Sequence, residues 1–211
     1  MQPLDAAEVR VLGSLIEKEA TTPEYYPLSL NALMNACNQK SNRDPVVHFD
    51  EDTVSDAIEG LRAKGFALIT TGNGRVTKYS QRISETLNLG RREMAVLGVL
   101  LLRGPQTLGE IKDRSERMFS FADLSETETV LERMADRQDT ALVKKLPRLP
   151  GQKESRYVHL LAGEPVFEAA AELEPVAQPS RVAQLESDLQ QLRSEFDELK
   201  RRFEALEEQW R

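Results

Sequence analysis

The hydrophobic pattern over residues 52–82 changes from a helical period to a strand period. The apolar positions of the helical part recur at spacings of three and four and share one face: Val54, Ala57, Ile58 and Leu61. Gly65 follows as a C-terminal cap, and a Gly-Asn-Gly turn then joins two β-rich runs, 67–71 and 76–80. A helix that leads directly into a short hairpin is typical of the second half of a winged helix.

Two further helices are predicted ahead of this stretch. The first begins at Asp5, where Glu8 three residues later completes a capping box, and Ser29 can cap the second. The polar turn 38–45, NQKSNRDP, follows the second helix, and its proline and asparagines oppose helix formation. The first 86 residues therefore predict three helices followed by a hairpin.

The same order starts again near residue 87. The tripeptide Val-Leu-Gly at 11–13 recurs at 96–98, and Thr107 opens a second capping box. Ser125 is the predicted N-cap of the third helix in this second unit, because a glutamate follows it three residues later. The plan of the first unit is thus repeated.

The second hairpin pairs residues 141–146 with residues 155–161 across a longer turn. The chain is therefore predicted to be mainly α with small β-hairpins, an α+β fold. It contains two tandem winged-helix domains, at residues 1–86 and 87–163. Each domain of roughly 80 residues is large enough to hold its own small core.

The last part of the chain has a different pattern. Residues 164–180 contain three prolines and are predicted to form a linker. Residues 181–211 predict a coiled-coil helix whose a and d positions alternate strictly: Val182, Leu185, Leu189, Leu192, Phe196, Leu199, Phe203, Leu206 and Trp210. Opposite charges face each other at e and g in a parallel pair, so a parallel dimer with a second copy is expected. The alternative is that this helix folds back onto its own domains.

Length and composition fit a soluble globular protein of 211 residues, 40% apolar and 30% charged. No apolar run approaches the ~20 residues that span a bilayer, so no membrane association is predicted. The first ten residues carry Asp5 and Glu8 and lack the apolar core of a signal peptide. Cys37 is the only cysteine, which excludes an internal disulfide. Together these features predict a cytoplasmic location.

The net charge of −7 is uneven, at −3 for residues 1–86, +2 for 87–163 and −6 for 164–211. No segment has the strongly positive charge of a dedicated nucleic-acid binder. In many winged helices the third helix enters the major groove, but here its outward side is acidic in both units and is repelled by phosphates. The candidate protein-binding residues on these helices are Asp56, Glu59, Glu128 and Glu132.

Basic residues concentrate instead on the hairpins and on the polar turn. The candidate nucleic-acid-binding residues are Lys40, Arg43, Arg75, Lys78, Lys144, Lys145, Lys153 and Arg156. On a hairpin, such cations can rest on phosphates while the third helix faces away, or they can be ordinary solubilising charge. The turn has the same two interpretations, since asparagine and aspartate side chains also satisfy local N–H groups. Lys40 and Arg43 are the charges in it that need an external partner.

Several long strings resemble the YceH-like family of uncharacterised bacterial proteins. They are TTPEYYPLSLNAL, CNQKSNRDPV, RVTKY, LLLRGPQT and ESRYVHL, all between Leu4 and Gly163. The resemblance implies a fold of two winged helices. It implies no activity, because none is settled for that family.

Catalytic and metal chemistry are not indicated. His48 and His159 fall in different units, and no second cysteine accompanies Cys37, so no metal site is predicted. Phosphate-loop, dinucleotide-binding, nucleophile-elbow and HExxH motifs are all absent from the sequence. We therefore expect no enzyme and no cofactor. Two hypotheses stay open: a dimeric DNA-associated regulator that contacts phosphates through its hairpins, and a protein-interaction adaptor that uses its acidic helices.

Overall fold

The computed structural model describes residues 2–71, 76–148 and 152–164, together with the single residue Lys200. The first repeat begins with three helices and ends with a hairpin and a short helix. Its elements are α1 (Ala6–Thr21), a 3-10 turn (Pro23–Tyr25), α2 (Leu30–Cys37), α3 (Glu51–Ala63), β1 (Ala67–Thr71), β2 (Thr77–Gln81) and α4 (Ile83–Thr86).

The second repeat again has three helices followed by a hairpin, with a two-residue strand before its second helix. Its elements are α5 (Arg91–Arg103), β3 (Gln106–Thr107), α6 (Leu108–Ser115), α7 (Leu124–Ala135), β4 (Val143–Lys145) and β5 (Arg156–His159). Both hairpins are antiparallel, with β1 on β2 and β4 on β5. The prediction of a mixed α+β chain with small antiparallel sheets is confirmed.

Local capping signals fix where most of these helices begin. Asp5 and Glu8 exchange reciprocal hydrogen bonds of 2.8 Å, as a capping box requires, and Thr107 forms a second box at α6. Ser29 caps α2 as predicted. The predicted N-cap of α7, Ser125, is wrong, because Asp123 accepts the bond from the Glu126 amide instead. Aspartate is a strong N-cap residue. Asp123 lies three residues before Glu126, which is the same spacing as that of Ser125 and Glu128.

A third strand joins the second hairpin and an isolated bridge joins the first, and the sequence pattern predicted neither. In the second repeat β3 pairs with β5, so that the strand order is β3-β5-β4. In the first repeat Leu28 makes a single bridge to Tyr79 of β2. Leu28 lies directly before Ser29, the cap of α2, and β3 ends at Thr107, the cap of α6. A segment of one or two residues is too short to show a hydrophobic period, so these pairings arise only in the tertiary fold.

The two repeats share one hydrophobic core, and residues 1–165 form one compact unit. Helix α1 packs against α5, and glycines permit the close approach. A Cβ atom at Gly13 would lie 3.0 Å from the Leu101 Cβ, and one at Gly98 would lie 3.1 Å from a methyl group of Ile16. These two glycines end the repeated Val-Leu-Gly tripeptides, so the sequence repeat marks the helix crossing.

Helix α1 is buried on almost all sides because α2, α3 and α5 all pack on it. Even its charged residues Glu8, Arg10 and Glu17 are buried.

Residues Val166–Arg211 belong to a second unit. The predicted linker beyond Glu164 and the predicted coiled-coil positions from Val182 to Trp210 lie outside the described residues.

Candidate interaction surfaces

The outward side of α3 is an exposed acidic surface. The helix buries Val54 and the rest of its apolar stripe, which turns its carboxylates toward solvent. Asp56 and Glu59 are both exposed, and Glu59 pairs with Arg62 one turn later. Glu51 and Asp52 lie exposed in the first turn, where they also interact favourably with the helix dipole. This acidic face of α3 is the surface that the sequence predicted.

The corresponding face of α7 is less uniformly acidic. Glu132 is exposed, but Glu128 is half-buried and lies 3.6 Å from the ammonium of Lys145 in β4. Glu126 lies in the first turn, where it accepts a hydrogen bond from the Ala122 amide and pairs with Arg92. Of the two third helices, α3 therefore presents the stronger negative charge.

Three predicted phosphate anchors on the second hairpin already have carboxylate partners within the chain. Lys144 lies 3.2 Å from Glu164, and Lys145 pairs with Glu128. The Arg156 guanidinium lies 3.0 Å from Glu110 and also donates to the Pro105 carbonyl at 2.9 Å. All three side chains are at least one-third exposed, so water screens these pairs.

Lys145 also lies over an aromatic ring. Its ammonium is 5.4 Å from the centroid of the Tyr157 ring, within the range of a cation–π contact. The contact with Tyr157, and then the charge of Glu128, raise the pKa of the Lys145 ammonium. This cation is thus positioned by its neighbours and stays charged near neutral pH.

The remaining predicted anchors are spread over the fold. Lys153 is exposed beside the second hairpin, and Lys40 is exposed in the polar turn. Lys78 is partly exposed on β2, and Arg75 lies outside the described residues. The structure therefore does not gather the predicted anchors into one surface.

The prediction that Arg43 needs an external partner is wrong. Its side chain is fully buried and binds the buried carboxylate of Glu17, at 3.1 and 2.5 Å, as well as the Ala36 carbonyl. Arg117 of the second repeat contacts the same carboxylate. Burial alone would raise the pKa of Glu17, but the hydrogen bonds and charge of Arg43, with the charge of Arg117, lower it. Arg43 is therefore unavailable to a phosphate.

Other contacts give the polar turn a structural role. Asn38 exchanges two hydrogen bonds of 2.8 Å with the backbone of Phe49, and Asn42 accepts one from Arg103 at 2.6 Å. The Asp44 amide donates to the Leu102 carbonyl of α5. The turn thus joins the two repeats, which favours the structural one of its two interpretations. The buried ion pair of Arg43 with Glu17 had one weak sequence signal, which is that Arg10 and Glu17 lie seven residues apart on one side of α1.

The single cysteine and the histidine of β5 lie in the interior. Burial raises the pKa of the Cys37 thiol to about 11, so the thiol stays protonated and unreactive near neutral pH. Burial also lowers the pKa of His159 to about 4.

Among the described residues, no group of three or more His, Cys, Asp and Glu side chains is placed to hold a metal ion. No helix in that part of the chain is both long and apolar enough to cross a membrane.

Comparison with known sequences places this architecture in a family. Residues 4–152 match the family model described as a protein of unknown function, DUF480. The chain belongs to this family. A UPF0502 protein of Solibacter usitatus is 55% identical over 192 residues, which cover 88% of this chain and 91% of the relative.

Further relatives of the DUF480 chain have the same description. UPF0502 proteins of Citrifermentans bemidjiense and Geobacter sulfurreducens are 53% and 52% identical, and each alignment covers 88% of both chains. Membership of a family of uncharacterised bacterial proteins is thereby confirmed, while the YceH-like label stays a prediction. The names of these relatives assign no activity.

Proposed function

We propose that this DUF480 chain is a tandem winged-helix protein that acts as a protein-interaction adaptor and not as an enzyme. Three helices followed by a hairpin, with a short extended segment before the second helix, is the order of a winged helix, and it occurs twice. A winged helix is a scaffold used by proteins of unrelated function. The choice of function therefore depends on the surfaces and not on the fold.

The acidic face of α3 is the observation that carries the proposal. Its carboxylates are exposed and contiguous, and they lie on the helix that would have to approach DNA in the usual mode. Close to DNA, such a face meets one negative charge per ~1.7 Å of helix axis. A partner with a basic surface would instead gain complementary charge and faster association. We therefore assign Asp56 and Glu59 to a docking surface for a basic protein, with Glu128 and Glu132 at the equivalent place on α7.

Dimerisation is the second part of the proposal. The heptad pattern of residues 181–211, with leucine at every d position, supports a parallel two-stranded coiled coil. A dimer presents two acidic faces, and two linked sites raise the apparent affinity for a partner that spans both.

Charge reversal tests the adaptor function. The double variant Asp56→Lys, Glu59→Lys should lose a partner that the native chain recovers reproducibly by affinity purification. The matched control is Glu24→Lys, Asp113→Lys, two exposed carboxylates away from α3 and α7, and it should retain that partner. Binding of the purified partner should weaken as salt rises. Recovery of no specific partner, or its equal recovery by both variants, contradicts the proposal.

DNA association through the second hairpin is the other candidate function. The observation that favours it is a group of five cations on and beside that hairpin: Lys144, Lys145, Arg148, Lys153 and Arg156. The exposed ion pairs here are each worth about 0–1 kcal/mol, so phosphates could replace the carboxylates at little cost.

A salt series decides between the two functions. If the hairpin holds DNA, the affinity for a duplex falls steeply with salt, and each removed cation lowers the slope of log affinity against log salt by about one. Lys144→Ala and Lys153→Ala are suitable single variants, with Lys112→Ala on α6 as the control. Absence of duplex binding at low salt excludes this function and leaves the adaptor proposal intact.

A further inference from the structure

A cavity of about 470 Å³ lies between the two repeats, where α1, α4 and the start of α5 meet. Much of its wall is apolar and is formed by Ile16, Leu89, Met94 and Met118. The size is within the range of roughly 300–1,000 Å³ found for small-molecule sites, which often lie between structural units. Thioether side chains adapt to varied apolar shapes, so two methionines suit a binding wall.

One carboxylate at this cavity is held in place by a hydrogen-bond network. The Gln81 side-chain amide donates to Glu19 at 2.7 Å and to the Ser84 hydroxyl at 2.9 Å. The Gln81 carbonyl accepts from the Ser84 amide, and the Gln81 backbone N–H donates to the Tyr26 hydroxyl at 2.6 Å. Gln81 itself is buried. Three of these bonds hold Gln81, and the fourth lets its amide orient the Glu19 carboxylate before any ligand arrives.

The Glu19 carboxylate lacks a countercharge. Within the described residues, no lysine or arginine nitrogen lies within 4.0 Å of it, whereas the neighbouring Glu17 has three cations around it. Glu19 as a residue is exposed, yet desolvation on the cavity side raises the pKa of its carboxylate, and the bond from Gln81 opposes this effect. A ligand ammonium would supply the missing charge through a charge-assisted hydrogen bond.

We propose that this cavity binds a small molecule that carries a primary ammonium group and an apolar chain. The ammonium binds Glu19, and the apolar chain lies against Ile16, Met94 and Met118. Arg91 also lines the cavity and is exposed. Its positive charge disfavours ligands with a second ammonium, so the expected ligand is a monoamine.

Calorimetric titration of the 211-residue chain with n-hexylamine tests the proposal. A dissociation constant on the order of 1 mM is expected for so small a probe. Hexan-1-ol has the same chain without the charge, and hexanoate has the opposite charge, so both should bind at least about tenfold more weakly. Glu19→Gln should weaken hexylamine binding by about tenfold or more, whereas Glu24→Gln, which changes another exposed carboxylate that does not line the cavity, should not.

A second readout locates the ligand independently of Glu19. Methyl resonances of Met94 and Met118 should shift during the hexylamine titration, whereas those of Met34 and Met134, which do not line the cavity, should stay unchanged. Ala20→Leu narrows the cavity without a change of charge and should reduce both binding and the methyl shifts. It also serves as the deciding variant if Glu19→Gln fails to fold.

Three results would overturn the proposal. The first is that hexylamine does not bind, or binds without shifting the two cavity methionines. The second is equal binding by the native chain and Glu19→Gln, which would exclude the carboxylate as the ammonium site. The third is tighter binding of hexanoate, which would assign the cavity to an anion held by Arg91.

Discussion

Arg43 donates to both carboxylate oxygens of Glu17, and both side chains are completely shielded from solvent. The pair joins the polar turn to α1, and Arg117 brings the second repeat to the same carboxylate. A charged pair of this kind is costly to bury, but removal of one partner is worse because it leaves the other charge uncompensated.

Removal of Arg43 should therefore strongly destabilise the fold. We expect Arg43→Met to lower the free energy of unfolding by about 3 kcal/mol, the low end for a broken buried pair, because Arg117 still contacts Glu17. Glu17→Met together with Arg43→Met should restore part of this loss. Urea unfolding measures both, with Arg62→Met as the control, since that exposed pair with Glu59 should contribute below about 1 kcal/mol. Equal effects of Arg43→Met and Arg62→Met would contradict the buried pair.

Alanine should have opposite effects on stability at glycines inside the crossing of α1 and α5 and at a glycine outside it. Gly13→Ala places a methyl group 3.0 Å from the Leu101 Cβ, which the backbone holds in place, so we expect a loss of about 1–3 kcal/mol from overpacking. Gly98→Ala should cost less, because Met118, one of its close neighbours, is flexible. Gly109→Ala in α6 meets nothing within 4 Å and should gain up to about 1 kcal/mol of helix propensity. Thermal unfolding ranks the three variants, and a stabilising Gly13→Ala would rule out the close crossing.

Stability should fall with acid through His159. The pKa of His159 is about 4 in the folded chain against 6.5 for an unperturbed histidine, so between pH 6.5 and pH 4 only the unfolded chain takes up the proton. The free energy of unfolding is therefore unaffected by His159 above pH 6.5 and falls by about 3 kcal/mol in total as the pH drops toward 4. His159→Leu should remove this part of the pH dependence, whereas His48→Gln, at an exposed position, should not. Parallel pH profiles for the native chain and His159→Leu would show that His159 is not buried as a neutral group.

The heptad segment predicts the oligomeric state. Deletion of residues 181–211 should convert a dimer into a monomer in light scattering, since the nine a and d residues would form the shared seam. Leu192→Lys should act in the same direction by placing a charge in that seam. An unchanged mass after deletion would instead favour the alternative in which this helix folds back on its own chain.

The capping signals were readable because they are local. The Asp5–Glu8 and Thr107–Glu110 boxes act over three residues, and the apolar stripe of α3 needs only the helical period. The same reasoning placed Asp56 and Glu59 on an exposed face, since their positions follow from that stripe. It misplaced the start of α7, where two overlapping sequences offered equivalent caps.

The sequence by itself determined the order of the three helices and the hairpin, most of the caps and the repetition of this order, because each follows from interactions between near neighbours. Only the tertiary structure decided that Arg43 turns inward to Glu17 and that α1 is buried by three helices. It also created β3, the bridge at Leu28 and the cavity beside Glu19. These features join residues that are distant in the chain, and the direction in which a charged side chain points depends on what packs beside it.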